Sequence, residues 1–515
     1  MPVVPGLSPA SQAAEPLLLA GARLPGVDAP VDLHLAGGRV AAIRPAGSRQ
    51  DAEVPGAAAA AAADVGGARR VELDGRFVVP GLHDRHVHVS QWAMVSRRLE
   101  LSAAASAAEV AALVAAAVAA GATEVAGFGY RDGLWADAPS SALLDAVAGE
   151  TPVVLVAADL HACWLNSAAA RRHGVQLPDD GILREDACFA LVRELDDVAD
   201  ELLDGWVAEA ARRAAERGVV GVVDYEMRWN RDDWARRAAG GFPLRVAFGI
   251  YPQHLERAIE LGLRTGDEVE GTGGLVTVGG AKVITDGSLN TRTAWCFDPY
   301  PGLGAHEHPH GLSTVPYEEL VPHLRRAHEH GITPAVHAIG DRANARVLDA
   351  FEAVGCTGSI EHAQLLRHDD VARFARLGIV AGVQPEHAMD DRDVADRYWP
   401  GRTDRAFMLA GLAAAGVELA LGSDAPVAPL DPWVAIAAAV GRARDGREPW
   451  HPEQSIEARA ALAASTNRAG HEVRTGATAD LAVIELDPFA VPAGELRTMP
   501  VAATLVAGAF THSTL

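Results

Sequence analysis

The stretch Val78-Val79-Pro80-Gly81-Leu82-His83-Asp84-Arg85-His86-Val87-His88-Val89 decides how the rest of the chain is read. Val78 and Val79 favour an extended strand, and Pro80-Gly81 permits a sharp change of direction before the next segment. In extended backbone, residues two apart share a face, so His86 and His88 present two imidazoles together. Paired neutral imidazoles make half of a site for a transition metal such as zinc. A bare H-x-H also occurs on ordinary strands. The reading therefore depends on whether other strands end in further ligands.

They do. Eight strand-like runs carry a polar residue at or near the C-terminal end: 78–89, 219–226, 244–251, 276–286, 333–340, 359–362, 379–387 and 418–424. Helical stretches lie between many of them, such as 317–330 and 341–354. Repeated strand-helix alternation predicts an α/β fold, a (β/α)8 TIM barrel with its site at the C-terminal strand ends. The candidate ligands are His86 and His88 on the first strand, Lys282 on the fourth, His337 on the fifth, His362 on the sixth and Asp424 on the eighth. Singly, most have a plain structural explanation. A buried histidine is often a hydrogen-bonded core residue, and Asp424 could cap the next helix. Lys282 is harder to explain that way, because a lysine inside Gly279-Gly280-Ala281-Lys282-Val283-Ile284 must be paired or lose its charge.

The two ends of the chain read as short strands with turns. Residues 17–22, 31–35 and 39–43 at the N-terminus match 479–484 and 502–508 at the C-terminus, and neither set can bury itself alone. Together they predict a small β-sandwich, with residues 1–79 and 473–515 flanking a barrel over 80–472. One βα connection is far too long. About 130 residues separate Val89 from Val219, where a barrel unit needs about 30. The excess carries strand-like runs of its own, so residues 100–216 are read as an inserted subdomain after the first barrel strand, lying over the mouth. Residues 57–63 form an alanine run bracketed by Pro55-Gly56 and Gly66-Gly67, read as a surface insertion.

Composition sets the outer bounds. The chain has 515 residues, 49% of them apolar and 22% charged, which is ample for a large core. A formal net charge of −23 speaks against nucleic acid or an anionic membrane as partner. The four cysteines form no C-x-x-C, and the N-terminus lacks a basic segment followed by an apolar one, so a reducing cytoplasm is expected. The expected partner is a small-molecule substrate; the choice between monomer and homodimer stays open.

These residues carry a resemblance. The segments PGLHDRHVH (80–88), VGGAKVITDGSLNTRTA (278–294), AVHAIGDRAN (335–344), SIEHAQ (359–364), GSDAPVAPLDPW (422–433), STNRAG (465–470) and ADLAVIELDP (479–488) resemble the amidohydrolase superfamily. Within it, the chain is most similar to the long-chain branch that includes N-substituted formamide deformylase. The resemblance implies two divalent metal ions, zinc by preference. His86, His88 and Asp424 would hold the first and His337 with His362 the second. Lys282 would bridge both as a carbamate after carbon dioxide adds to its amine. Such ions give hydroxide near neutral pH, and Asp424 would act as the proton shuttle. The branch often carries a D-x-H-x-x-W-x-N stretch, matched here at 159–166, which implies His161 as a catalytic oxyanion contact and His161, Trp164 and Asn166 as substrate-binding residues. Asp286 and Asp341 are read as orienting or capping groups, and Glu361 as a structural residue pointing away from His362. His83 and Arg85 depart from the family pattern, as does Gly476-Ala477-Thr478 where a glycine-lysine is usual.

The implied activity is metal-dependent hydrolysis of a non-peptide carbon-nitrogen bond, of amide or formamide type. A deaminase or cyclic-amide hydrolase of the same superfamily is the alternative enzyme, with one metal in the deaminase case. A catalytically dead scaffold is the non-enzyme alternative. It should have lost ligands, and this sequence keeps them all.

Overall fold

The computed structural model describes residues 15–48, 67–132, 135–158, 162–178, 180–184, 186–195, 197–304 and 307–515. The alanine run at 57–63 and His161 lie outside the described residues. Residues 1–89 and 208–515 form one compact unit, and 90–207 form a second.

In the first unit, eight parallel strands make one sheet. In spatial order they are Leu82–Val87, Val219–Asp224, Arg245–Ile250, Val276–Ile284, Pro334–Ala338, Ser359–His362, Val380–Val383 and Leu419–Leu421. These are the eight runs read from the sequence. Just beyond its two edge strands the sheet comes back on itself. Val87 bridges Ala425 in parallel, Asp424 N donates to His86 O at 2.7 Å, and His88 N donates to Ala425 O at 2.9 Å. Strands covered on both faces need no polar alternation, which explains runs such as Val219-Val220-Gly221-Val222-Val223.

Helices wrap the sheet. Asp341–Val354 buries Val347, Leu348 and Phe351 in one core with Leu320 and Leu324 of Tyr317–Glu329. It stops at Gly355, whose φ of 73° suits a residue without a Cβ. Truncating Phe351 to alanine there would cost about 3–5 kcal/mol.

Both chain ends contribute sheets to this unit. Leu17–Ala22, Val31–Ala36, Arg39–Pro45 and Arg69–Glu72 form one four-stranded sheet. Phe77–Pro80 joins Leu481–Ile484, Val501–Val506 and Ala509–Ser513 in another, with Leu481 opposite Pro80 and Ile484 opposite Phe77. Leu19 and Leu33 share a core with Leu481, Val483 and Leu505. Strand Phe77–Pro80 thus runs from this core straight into the histidine-bearing first barrel strand.

The second unit has its own five-stranded sheet, ordered Ile182–Arg184, Ala162–Leu165, Val153–Ala157, Val125–Tyr130 and Leu99–Glu100. It begins at Ser90 and ends at Val207, earlier at both ends than the 100–216 read from sequence. Trp164 is 0% exposed, in one core with Leu155 and Ile182 and edge-on to Tyr130 at 6.1 Å. Asn166 caps helix Ser167–His173: its Oδ1 accepts from Ala169 N at 2.9 Å and Val153 N at 3.0 Å, and its Nδ2 donates to Thr151 O at 2.9 Å. This corrects the expectation that Trp164 and Asn166 contact substrate. The indole is spent on packing, and the amide is spent on a helix cap and strand ends. All four cysteines are buried, and the sulfurs of Cys163 and Cys188 lie 2.8 Å apart. Among the described residues, no helix is long and apolar enough to cross a membrane.

Candidate metal centre

The first barrel strand delivers its histidines because its neighbours make room and hold it. At Gly422 a Cβ would lie 2.6 Å from His86 N and 2.7 Å from His86 Cβ, so a larger residue would push the strand away. Asp84 Oδ1 accepts from His86 N at 3.1 Å and Ser423 N at 2.9 Å, tying the first strand to the end of the eighth. Burial pushes the Asp84 carboxyl up to about 7. His86 Nδ1 pairs with Glu361 Oε2 at 2.8 Å. Its Nε2 is then free to face Asp424 Oδ1 at 3.5 Å, and His88 Nε2 faces the same oxygen at 3.4 Å.

Glu361 corrects the sequence reading. Strict alternation turns it away from His362, yet both side chains reach the site. His362 at φ 75° and Ala363 at φ 43° leave the extended region, which breaks the two-residue period. Gly382 on the neighbouring strand supplies the space, since a Cβ there would collide with Glu361 Oε2. Tyr225 OH donates to Glu361 Oε1 at 3.3 Å, and the Ser359 hydroxyl donates to the same oxygen. Burial opposes the charge on Glu361, but the hydrogen bond from His86 and the nearby Lys282 outweigh it and hold the carboxyl at about 2. An ionised carboxylate on Nδ1 fixes the tautomer of His86 and orients its ring toward a cation.

Lys282 is 1% exposed, with Nζ 4.3 Å from the centre of the Tyr225 ring and no hydrogen bond. Burial lowers its pKa to about 8. His337 lies ring to ring with His362 at 4.4 Å and turns Nε2 toward Asp286 Oδ1 at 3.3 Å. Asp286 is itself fixed by the N–H groups of Trp295, Ile339 and Gly340, the orienting role expected of it. Asp341 accepts from Phe297 N at 2.9 Å and pairs with Arg405 at 3.3 Å. His83 stands apart. Burial, with Arg85 beside it, lowers its pKa to about 4, and it joins no ligand group among the described residues.

Among the described residues two groups bring their ligand atoms within 4.8 Å of one another: His86, His88 and Asp424, and His362, His387 and Asp424. His387 is the residue the sequence reading leaves out, although it closes the 379–387 run. Buried nitrogens without hydrogen-bond partners crowd here: Nδ1 of His88 and His362, Nε2 of His337 and His387, and Nζ of Lys282. Each orphaned group costs about 1–3 kcal/mol. A fold that concentrates such costs at the end of a barrel is built to receive something that bonds to nitrogen.

The groups differ in proton affinity. Burial lowers His86 to about 4, with the Lys282 charge adding to the effect. Burial also works against a proton on His88, but Asp424 beside it wins and raises its pKa above the ordinary value. At His88 an incoming cation therefore competes with protons more than at His86. We expect divalent-metal uptake to release protons and its affinity to weaken as pH is lowered from about 8 to about 6. Titration calorimetry in buffers of different ionisation enthalpy checks this, and an affinity flat across that range would contradict it.

Residues 69–512 match the amidohydrolase family. The chain belongs to that family. This amidohydrolase is 30% identical over 442 residues to the protein LONG AFTER FAR-RED 3 of Arabidopsis thaliana, covering 78% of the present chain and 75% of that one. It is 27% identical over 527 residues to N-substituted formamide deformylase of Arthrobacter pascens, covering 92% and 93% of the two chains. Its fold is shared with an uncharacterised metal-dependent hydrolase of Pyrococcus horikoshii at a TM-score of 0.76 and 23% identity, over 93% of this chain and 99% of that one. It is an enzyme, a hydrolase of the amidohydrolase family.

Proposed function

We propose that this amidohydrolase hydrolyses an amide bond of formamide type in a small substrate, using two zinc ions bridged by a carboxylated Lys282. The observation that carries the reading is the convergence of His86, His88, His362 and Asp424 around buried, unpartnered nitrogens. Imidazoles with one carboxylate suit zinc. In this reading His86, His88 and Asp424 hold the first ion and His337 with His362 the second. Lys282 fits the bridge because burial brings its pKa to about 8, leaving part of the amine neutral at pH 7. That amine bonds to the carbon of carbon dioxide, loses a proton and becomes a carbamate with two oxygens. When bound, the ions lower the pKa of water and polarise a carbonyl.

The chain's own groups do the rest. Glu361 keeps His86 in place through Nδ1. Burial would raise Asp424, but His86, His88 and His362 outweigh it and keep the carboxylate ionised. Asp424 can then take a proton from water and pass it to the leaving nitrogen. The likeness to N-substituted formamide deformylase supports the bond class.

The test is metal analysis of purified protein alongside amine release from a panel of N-substituted formamides and acetamides. We expect close to two zinc equivalents and loss of turnover on strong chelation. One equivalent in fully active protein, with ammonia released from aminated rings, would replace this reading by the mononuclear deaminase.

A further inference from the structure

We propose that His387 is a ligand of the second metal ion, joining His362 and Asp424. The inference rests on the metal-dependent reading above and extends it to a residue that reading leaves unassigned. The ligand atoms of these three residues lie within 4.8 Å of one another. His387 is 7% exposed, and its Nε2 is buried without a hydrogen-bond partner. Leaving that nitrogen bare costs about 1–3 kcal/mol, which a bound cation would offset. The ring lies nearly parallel to that of His362, with centroids 6.3 Å apart and planes inclined by 14°.

The backbone aims His387 deliberately. Pro385 opens the helix Pro385–Tyr398 and fixes its first turn, which contains His387. Glu386, on the same turn, is anchored by two arginines: its Oε1 accepts from Arg444 at 2.7 Å and from Arg497 at 2.9 Å. A turn clamped in this way holds its next side chain in one place. Coordination number points the same way. A catalytic zinc takes three protein ligands and keeps one open position. His337 and His362 give the second ion two, and His387, whose ligand atom lies within 4.8 Å of those of His362 and Asp424, supplies the third.

The test uses the full-length protein as wild type, His387→Gln and His387→Cys. Each is saturated with zinc, desalted and analysed for bound metal, with near-ultraviolet circular dichroism as the folding control. We expect about two equivalents in wild type and about one in His387→Gln, with the second ion bound at least about 10-fold more weakly in that variant. Cysteine can also ligate zinc, so His387→Cys should regain the second equivalent. Its cobalt(II) form should show thiolate-to-metal charge transfer. That band decides the matter even if the glutamine variant does not fold. Two equivalents at wild-type affinity in His387→Gln, or no charge-transfer band in His387→Cys, would overturn the assignment. A wild type that hydrolyses amides with a single ion would overturn it and leave the hydrolase reading standing; a wild type that binds no zinc would overturn both.

Discussion

Asp424→Asn should lower kcat at least about 100-fold while the protein keeps most of its metal. The carboxylate belongs to both ligand groups, with Oδ1 3.5 Å from His86 Nε2 and 3.4 Å from His88 Nε2. Asparagine keeps the shape and one oxygen, so ligation survives in part, but it cannot take a proton. The backbone should tolerate the change as well. Asp424 has a φ of 58°, a left-handed conformation that asparagine adopts more readily than most residues. A fall in kcat can then be assigned to the lost proton acceptor, not to a distorted strand end. Steady-state kinetics and metal analysis on the same preparation check this. Unchanged turnover would remove Asp424 from proton transfer, and parallel loss of metal would make it a ligand only.

The barrel was legible because parallel strands covered on both faces leave continuous apolar runs in the sequence, each ending where the site begins. His86, His88, Lys282, His337, His362 and Asp424 could be named from those ends alone. What escaped was the local departure from regular backbone. Glu361 follows the rule of alternation until His362 turns left-handed, and nothing in Ser359-Ile360-Glu361-His362 announces a positive φ. His387 stands just past the seventh strand in the first turn of a helix, where a period-two reading has already ended. Its signal was the histidine closing the 379–387 run.

Trp164 and Asn166 failed for a different reason. A tryptophan that stacks on a substrate and one that fills a core have the same neighbours in sequence, and burial alone separates them. Asn166 followed by Ser167-Ala168-Ala169 also carries an N-cap signature that competes with the substrate-contact reading. The capping reading needed no ligand and is the one the structure bears.

Lys282→Ala should cost one of two metal equivalents and most of the activity, and short carboxylic acids such as formate or acetate should restore part of both. The lysine sits opposite Ala335 in the barrel register, buried, with no hydrogen bond and an aromatic face 4.3 Å away. A permanently charged ammonium is poorly served there. Glu361 and Asp424 raise its pKa by their charge, yet burial outweighs them and brings it to about 8. The site therefore raises the fraction of neutral amine, the form that attacks carbon dioxide. A free carboxylate diffusing into the alanine variant has two oxygens to offer in the space the carbamate would fill, which is why rescue discriminates. An alanine variant with full metal content would show Lys282 to be an ammonium balanced by Glu361 and Asp424. Loss of metal without rescue by any small acid would assign it to the packing of the site instead of to a bridge.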